Sequence, residues 1–181
     1  RTTTVFSFRL FQDGYLPSRV VTRSYIYKDR EYDLPIVSIV TDPLNLYDDC
    51  LGIYVKGVNG RTGNGQSTPC NWNMDWDRPV NVEYLTVDGE MVINQEANME
   101  MCGGWSRAWT PHSFKIKANK IYEGENFLPY QVFPNKAYLK HKTWQIRNGG
   151  NDTGSRIKDA ALQTIVHTSG LEVDGQECQP V

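Results

Sequence analysis

The chain lacks most of the features that assign a protein quickly. None of its 181 residues belongs to an apolar run long enough to span a bilayer, and no basic-then-apolar leader is present. Because the first residue is Arg1, the sequence is expected to be a processed or excised piece, with any export signal outside it. Charge of one sign is also missing: a formal net charge of −2 gives no general attraction for polyanions and argues against nucleic acid as a partner. There is no internal repeat. Cys50, Cys70, Cys102 and Cys178 are too widely spaced for a CxxC zinc or redox motif. Three disulfide pairings are open to them, and Cys50 with Cys70 would close the loop between them. The spacing favours four free thiols, with Cys102 read as a small buried hydrophobe. His112, His141 and His167 have no ligand-like spacing, so no metal is expected from them.

What remains describes an ordinary globular chain: 39% hydrophobic residues, enough for one substantial core or one domain with a small appendage. The richest stretch lies between Cys102 and Ile165. The turn Cys102-Gly103-Gly104-Trp105-Ser106-Arg107 lets backbone approach a ligand at the glycines and sets a cation three residues on. In Ser113-Phe114-Lys115-Ile116-Lys117-Ala118 the alternation puts Phe114, Ile116 and Ala118 on one face and both lysines on the other. Trp144 to Arg147 reads as a short strand, Asn148 to Gly154 as a turn. Ser155 to Thr168 reads as the main helix, with Ile157, Ala161 and Ile165 on a buried stripe.

The rest is mostly strand. Residues 1–28 read as two strands about the turn Asp13 to Ser18, and Ile36 to Val40 as a third strand. Asp42-Pro43 supplies a cap and a first-turn proline for one helical turn through Tyr47. Residues 56–73, rich in Gly, Asn, Thr and Ser, read as a long exposed loop. Val80 to Leu85 and Met91 to Cys102 pair across Asp88-Gly89, and the face opposite Ala97, Met99 and Met101 is either wet or lines a site. Residues 120–142 show no clear period. The expected class is α+β, mostly antiparallel β with one main helix.

Several of these segments occur in a telling order. Gly103-Gly104-Trp105-Ser106-Arg107, the strand Ser113 to Lys117, Arg147-Asn148-Gly149-Gly150 and Arg156-Ile157-Lys158-Asp159 together resemble the CotH family, the atypical kinases similar to spore coat protein H. Leu34 to Ser38, Thr41 to Tyr47, Gly52 to Val55 and Trp76 to Glu83 also look like that family, so the resemblance covers roughly residues 34–181. Residues 1–33 resemble the last hairpin, with a linker, of the chitobiase C-terminal-like sandwich domains that often precede such regions.

The resemblance implies the nucleotide-facing, N-terminal part of a CotH kinase-like fold. Gly103, Gly104, Ser106, Arg107, Lys115, Lys117, Arg147 and Asp159 would face ATP, Asp159 or secondarily Asp152 would orient a cation, and Mg would accompany the nucleotide. The family's metal-binding and catalytic aspartates fall after residue 181, so this piece alone is expected to transfer no phosphate. An intact relative would phosphorylate a protein Ser or Thr, outside the cytoplasm. The chain departs from the family where a lysine often follows the proline of the basic strand and this sequence has His112.

Plainer readings stand beside these. The Gly-Gly turn can be only a turn, and Lys115 and Lys117 only the solvated face of a strand. Asp42, Asp48, Asp49, Asp75 and Asp77 lack the spacing of a calcium loop and read as turn and cap residues. Trp72, Trp76, Trp105 and Trp109 support a second function, a cell-surface carbohydrate-binding or scaffolding module, through stacking on sugars. A third is an assembly part beside neighbouring domains of the same polypeptide, with an unpaired strand ending at Val181.

Overall fold

The computed structural model describes residues 2–123 and 125–181, and its centre is a five-stranded antiparallel sheet. Its strands, in spatial order, are β3 (Ile36–Val40), β6 (Arg78–Leu85), β7 (Met91–Met101), β8 (Phe114–Lys117) and β9 (Thr143–Ile146). Two hairpins stand apart from it, β1 (Thr4–Phe8) with β2 (Val21–Tyr25), and β4 (Arg61–Gly63) with β5 (Gln66–Cys70). The helices are short: α1 (Pro43–Tyr47), α2 (Lys120–Glu123) and α3 (Lys158–Thr168). The class is therefore α+β and mostly antiparallel β, as the alternating patterns imply.

One face of the sheet is apolar because alternate residues of each strand are. Val80, Val82 and Tyr84 on β6, Ile93, Ala97, Met99 and Met101 on β7, Ile116 on β8 and Trp144 on β9 are all buried on it. The sheet curls around this face. Tyr84 and Trp144 have ring centroids 5.8 Å apart although β7 and β8 lie between their strands. Three spacings in a flat sheet would hold them about 14 Å apart. Leu128, Val132 and the partly buried Phe133 fill the concave side, so the segment without a readable period serves as the plug of the core. A bridge pairing Leu128 with His141 holds it closed.

The opposite face is polar, and the first hairpin lies on it. Glu83, fully buried, accepts the Ser24 N–H at 3.0 and 3.2 Å through its two oxygens. Ser24 Oγ meets Ser38 Oγ at 2.8 Å, and Asn94 Nδ2 donates to the Thr22 carbonyl at 2.9 Å. The hairpin thus turns its small polar residues inward.

Three expectations need correction. Residues 56–73 are not an exposed loop: they form the β4–β5 hairpin and a 3₁₀ turn at Asn71–Asn73 in which both asparagines are fully buried. Asn71 Nδ2 donates to the Asp49 and Gly52 carbonyls, each at 3.0 Å, and Asn73 Nδ2 donates to the Arg61 carbonyl at 3.2 Å. These amides supply the partners that backbone would otherwise lack, a packing that hydrophobic periodicity does not register. The main helix begins at Lys158 instead of Ser155, and it buries no residue. Ile157 and Ile165 are about 60% exposed, because no element covers that stripe. Finally, residues 171–181 form no strand, and the sheet edges are β3 and β9. Side chains tie the tail down instead, through Lys136 to Asp174 at 2.6 Å and Asn135 Nδ2 to Glu177 at 2.9 Å.

Other local readings hold. Asp42 accepts the Leu44 N–H and Pro43 opens α1. Asp48 accepts the N–H groups of Cys50 and Leu51 at 2.8 Å each. All four cysteines are free thiols, Cys70 and Cys102 buried and Cys50 and Cys178 exposed. Among the described residues, no helix is long and apolar enough to cross a membrane.

Candidate functional site

The glycine turn leaves the C-terminal end of β7. Gly103 sits at φ +101, where a side chain would be strained, and this reverses the chain into the 3₁₀ turn Trp105–Ala108. Arg107 does not reach out from that turn. It is buried, with Nε donating to the Gly103 carbonyl at 3.0 Å and Nη1 to the Trp72 carbonyl at 3.2 Å, and Asp75 stands 3.9 Å away. A guanidinium occupied in this way braces the turn. His112, standing where a lysine was the family expectation, is wedged beneath it. Its Nδ1–H donates to the Arg107 carbonyl at 2.6 Å, and its ring meets those of Tyr54 and Trp72 at 4.4 and 5.1 Å. Burial pushes the His112 pKa down and keeps the ring neutral.

The second glycine turn is fastened to the first. The Asn148 N–H donates to Ser113 Oγ at 3.0 Å, and its Nδ2 donates to the Ser106 and Trp109 carbonyls at 3.2 and 3.3 Å. Gly149, at φ +88, could not carry a side chain without meeting Arg156. Arg147 just before it pairs with Asp159 on α3 at 2.5 Å. Asp152 makes a different contact: it caps the start of α3, accepting the Lys158 N–H at 2.9 Å and bonding Ser155. Those bonds, from Ser155 first, hold its carboxyl below the usual carboxylate range.

Lys115 and Lys117 project from β8 on the polar face, as alternation requires, and meet Glu100 of the neighbouring β7. Glu100 is the register partner of Lys115. Lys117 is held tightly, at 2.6 Å from Glu100 and 2.5 Å from Asp77. Desolvation alone would lower its pKa, but hydrogen bonds to Asp77 and Glu100 outweigh that and raise it. Lys115 is held loosely, 3.9 Å from Glu100 and 41% exposed. Of the two lysines, Lys115 is the one with capacity for a ligand.

Burial pushes the Cys102 thiol pKa up and Glu100 adds to that, while Lys115, Arg107 and Arg147 pull it down electrostatically. Of these cations Lys115 is loosely held, Arg147 is paired with Asp159 at 2.5 Å, and Arg107 is braced within the turn. Arg147, Gly149 and Asp159 also line a cavity of about 600 Å³ between β9, α3 and the chain's last residues. Among the described residues, no group of three or more His, Cys, Asp or Glu side chains is placed to hold a metal ion.

Glu100, Asn148 and His112 are parts to which the sequence reading gave no role in the site, and Asp77, read there as a turn or cap residue, is instead an ion-pair partner of Lys117. Glu100 was within reach, since pairing β7 with β8 puts it opposite Lys115. Asp77, before β6, comes from too far along the chain for any spacing to reveal it. The tryptophans are largely committed to packing. Trp72 donates its Nε1–H to Gln66 at 2.8 Å and stacks against His112, Trp76 lies under the Arg78 guanidinium, and Trp105 stays exposed. Comparisons with family models, with curated proteins and with solved structures find no match.

Proposed function

We propose that this chain is the phosphate-gripping, nucleotide-facing part of a CotH-like kinase, whose ligand is Mg-ATP and whose intact form phosphorylates protein Ser or Thr outside the cytoplasm. The observation that carries the reading is the pair of left-handed glycine turns at Gly103 and Gly149, tied together through Asn148, with the loosely paired, 41% exposed Lys115 on the neighbouring strand β8 and Arg147 at the second turn. Phosphoryl transfer asks a protein mainly to place cations and backbone N–H groups around phosphate oxygens. In this reading Lys115 and Arg147 contact phosphate, and Gly103 and Gly104 give the chain its close approach. Arg107 fixes the turn from behind. Glu100 and Asp77 hold Lys117 in a set position, so Lys117 orders the strand instead of binding ligand.

The acids described above do not form a metal site, so the reading assigns no Mg ligand within this chain and routes no step through the metal. Calorimetric titration of Mg-ATP into this chain and into one extended downstream tests it. The extended form is expected to bind, with affinity falling about tenfold or more on Lys115→Ala, the effect of losing one charge-assisted contact. Lys117→Ala is expected to weaken binding less. Absence of binding by both forms, or an unchanged affinity in Lys115→Ala, sinks the proposal.

A further inference from the structure

Of the five tryptophans, Trp105 alone is exposed, at 58%, and it stands in the first glycine turn. The ring is held in place all the same. Its six-membered part is pressed on Gly65 at the tip of the β4–β5 hairpin, where a Cβ would stand 2.4 and 2.9 Å from Cε3 and Cζ3. Asn64 and Gly65 take φ values of +53 and +79, a two-residue turn of the kind that Asn-Gly favours, closed by the pairing of Gly63 with Gln66. Gly65 is thus needed twice, for its left-handed backbone and for the close approach of the ring. A tryptophan braced on one side and open elsewhere is a stacking surface.

The ring stands beside the seam that joins the two glycine turns. The Ser106 carbonyl, one residue on, accepts from Asn148 Nδ2 at 3.2 Å, and Arg147 precedes Asn148. A nucleotide whose phosphates meet Arg147 and Lys115 can therefore lay its base on Trp105. The polar side chains around that position are spent on one another. Gln66 Oε1 accepts from Trp72 Nε1 at 2.8 Å and from Asn73 Nδ2 at 3.2 Å, while its Nε2 donates to the Trp105 carbonyl at 3.5 Å. Asn64 Nδ2 donates to Asn73 Oδ1 at 3.1 Å. Amides occupied in this way have little left with which to read the hydrogen-bonding edge of a base.

We propose that Trp105 holds the nucleotide base by stacking, without reading its edge, so that the site takes ATP and GTP alike. Every base has a π-face, so stacking alone tolerates either purine. The inference rests on the nucleotide reading. It adds the residue that meets the base, and it widens the ligand class from ATP to purine nucleoside triphosphates.

Calorimetric titration of Mg-ATP, Mg-GTP and Mg-tripolyphosphate into the same two forms of the chain tests it. ATP and GTP are expected to bind within about threefold of each other. Trp105→Ala should weaken both by about five- to 150-fold and leave tripolyphosphate, which has no base, unchanged. Trp105→Phe should keep most of the affinity while losing the quenching of tryptophan fluorescence that the nucleotide causes. Unchanged ATP affinity in Trp105→Ala, with Lys115→Ala still weakening it, overturns this inference and leaves the nucleotide reading standing. Equal losses for ATP and tripolyphosphate in Trp105→Ala overturn it as well, since they would give the ring a purely structural role. So does a preference for ATP over GTP of about tenfold or more, which needs a reader of the base edge. Absence of binding by all three ligands removes the nucleotide reading itself, and this inference with it.

Discussion

Removing the Glu83 carboxyl should release the first hairpin without unfolding the sheet. Glu83 is fully buried, and its two oxygens share the Ser24 N–H at 3.0 and 3.2 Å. A hydrogen bond to a charged acceptor is worth about 1.5–3 kcal/mol. Losing it in Glu83→Ala should therefore raise the open population of the hairpin by about ten- to 150-fold. Glu83→Gln keeps one carbonyl oxygen for the Ser24 N–H and should cost about 0.5–1.5 kcal/mol. Amide hydrogen exchange is the assay, because it reports opening segment by segment. Thr22 to Tyr25 should lose protection in that order of severity, while Val82, Ala97 and Ile116 keep theirs. Unchanged exchange at Thr22 to Tyr25 in Glu83→Ala would refute the claim that this carboxyl holds the hairpin. Equal loss across the sheet would refute the claim that the hairpin opens separately.

Other outcomes follow from the site. Arg107→Lys should destabilise by about 1–3 kcal/mol in denaturant unfolding, since an ammonium cannot span the Gly103 and Trp72 carbonyls together. Burial lowers the pKa of both His112 and His141 below the usual 6.5, so the unfolded chain binds more protons once pH falls under that value. Stability should then rise with pH between about 5 and 6.5 and flatten above, and the slope should shrink in His141→Asn; a denaturation midpoint independent of pH across that window contradicts this. Asp77→Asn removes one of the two acids holding Lys117 and should bring its ammonium pKa down, as followed by NMR titration; no change would mean Glu100 alone sets it.

Much of the fold was legible because its strands obey a simple rule. Ile36–Val40, a run rich in β-branched residues, the helical turn after Asp42 and the hairpin around Asp88-Gly89 come directly from strand propensity, capping and turn chemistry. Lys115 and Lys117 were placed on the right side of their strand for the same reason. The failures share a cause as well. Asn71 and Asn73 are buried by hydrogen bonding, which composition reports as loop, and Leu128 to Phe133 are buried by the curl of a sheet that no local pattern encodes. Arg107 was taken for a ligand because sequence shows a cation after a glycine turn, whereas the carbonyls of Gly103 and Trp72 claim it in space. The stripe of α3 has the right period and no element to cover it.

The seam beneath the first hairpin is made of Thr22, Ser24, Ser38, Glu83 and Asn94, while the opposite side of the same sheet is closed by aliphatic and aromatic side chains. These two contacts answer temperature in opposite senses. Cooling weakens apolar closure, whose opening raises the heat capacity, whereas wetting a polar seam on opening lowers it. Near freezing, the hairpin should hold relatively better than the core it rests upon. On mild warming it should be the first part to let go.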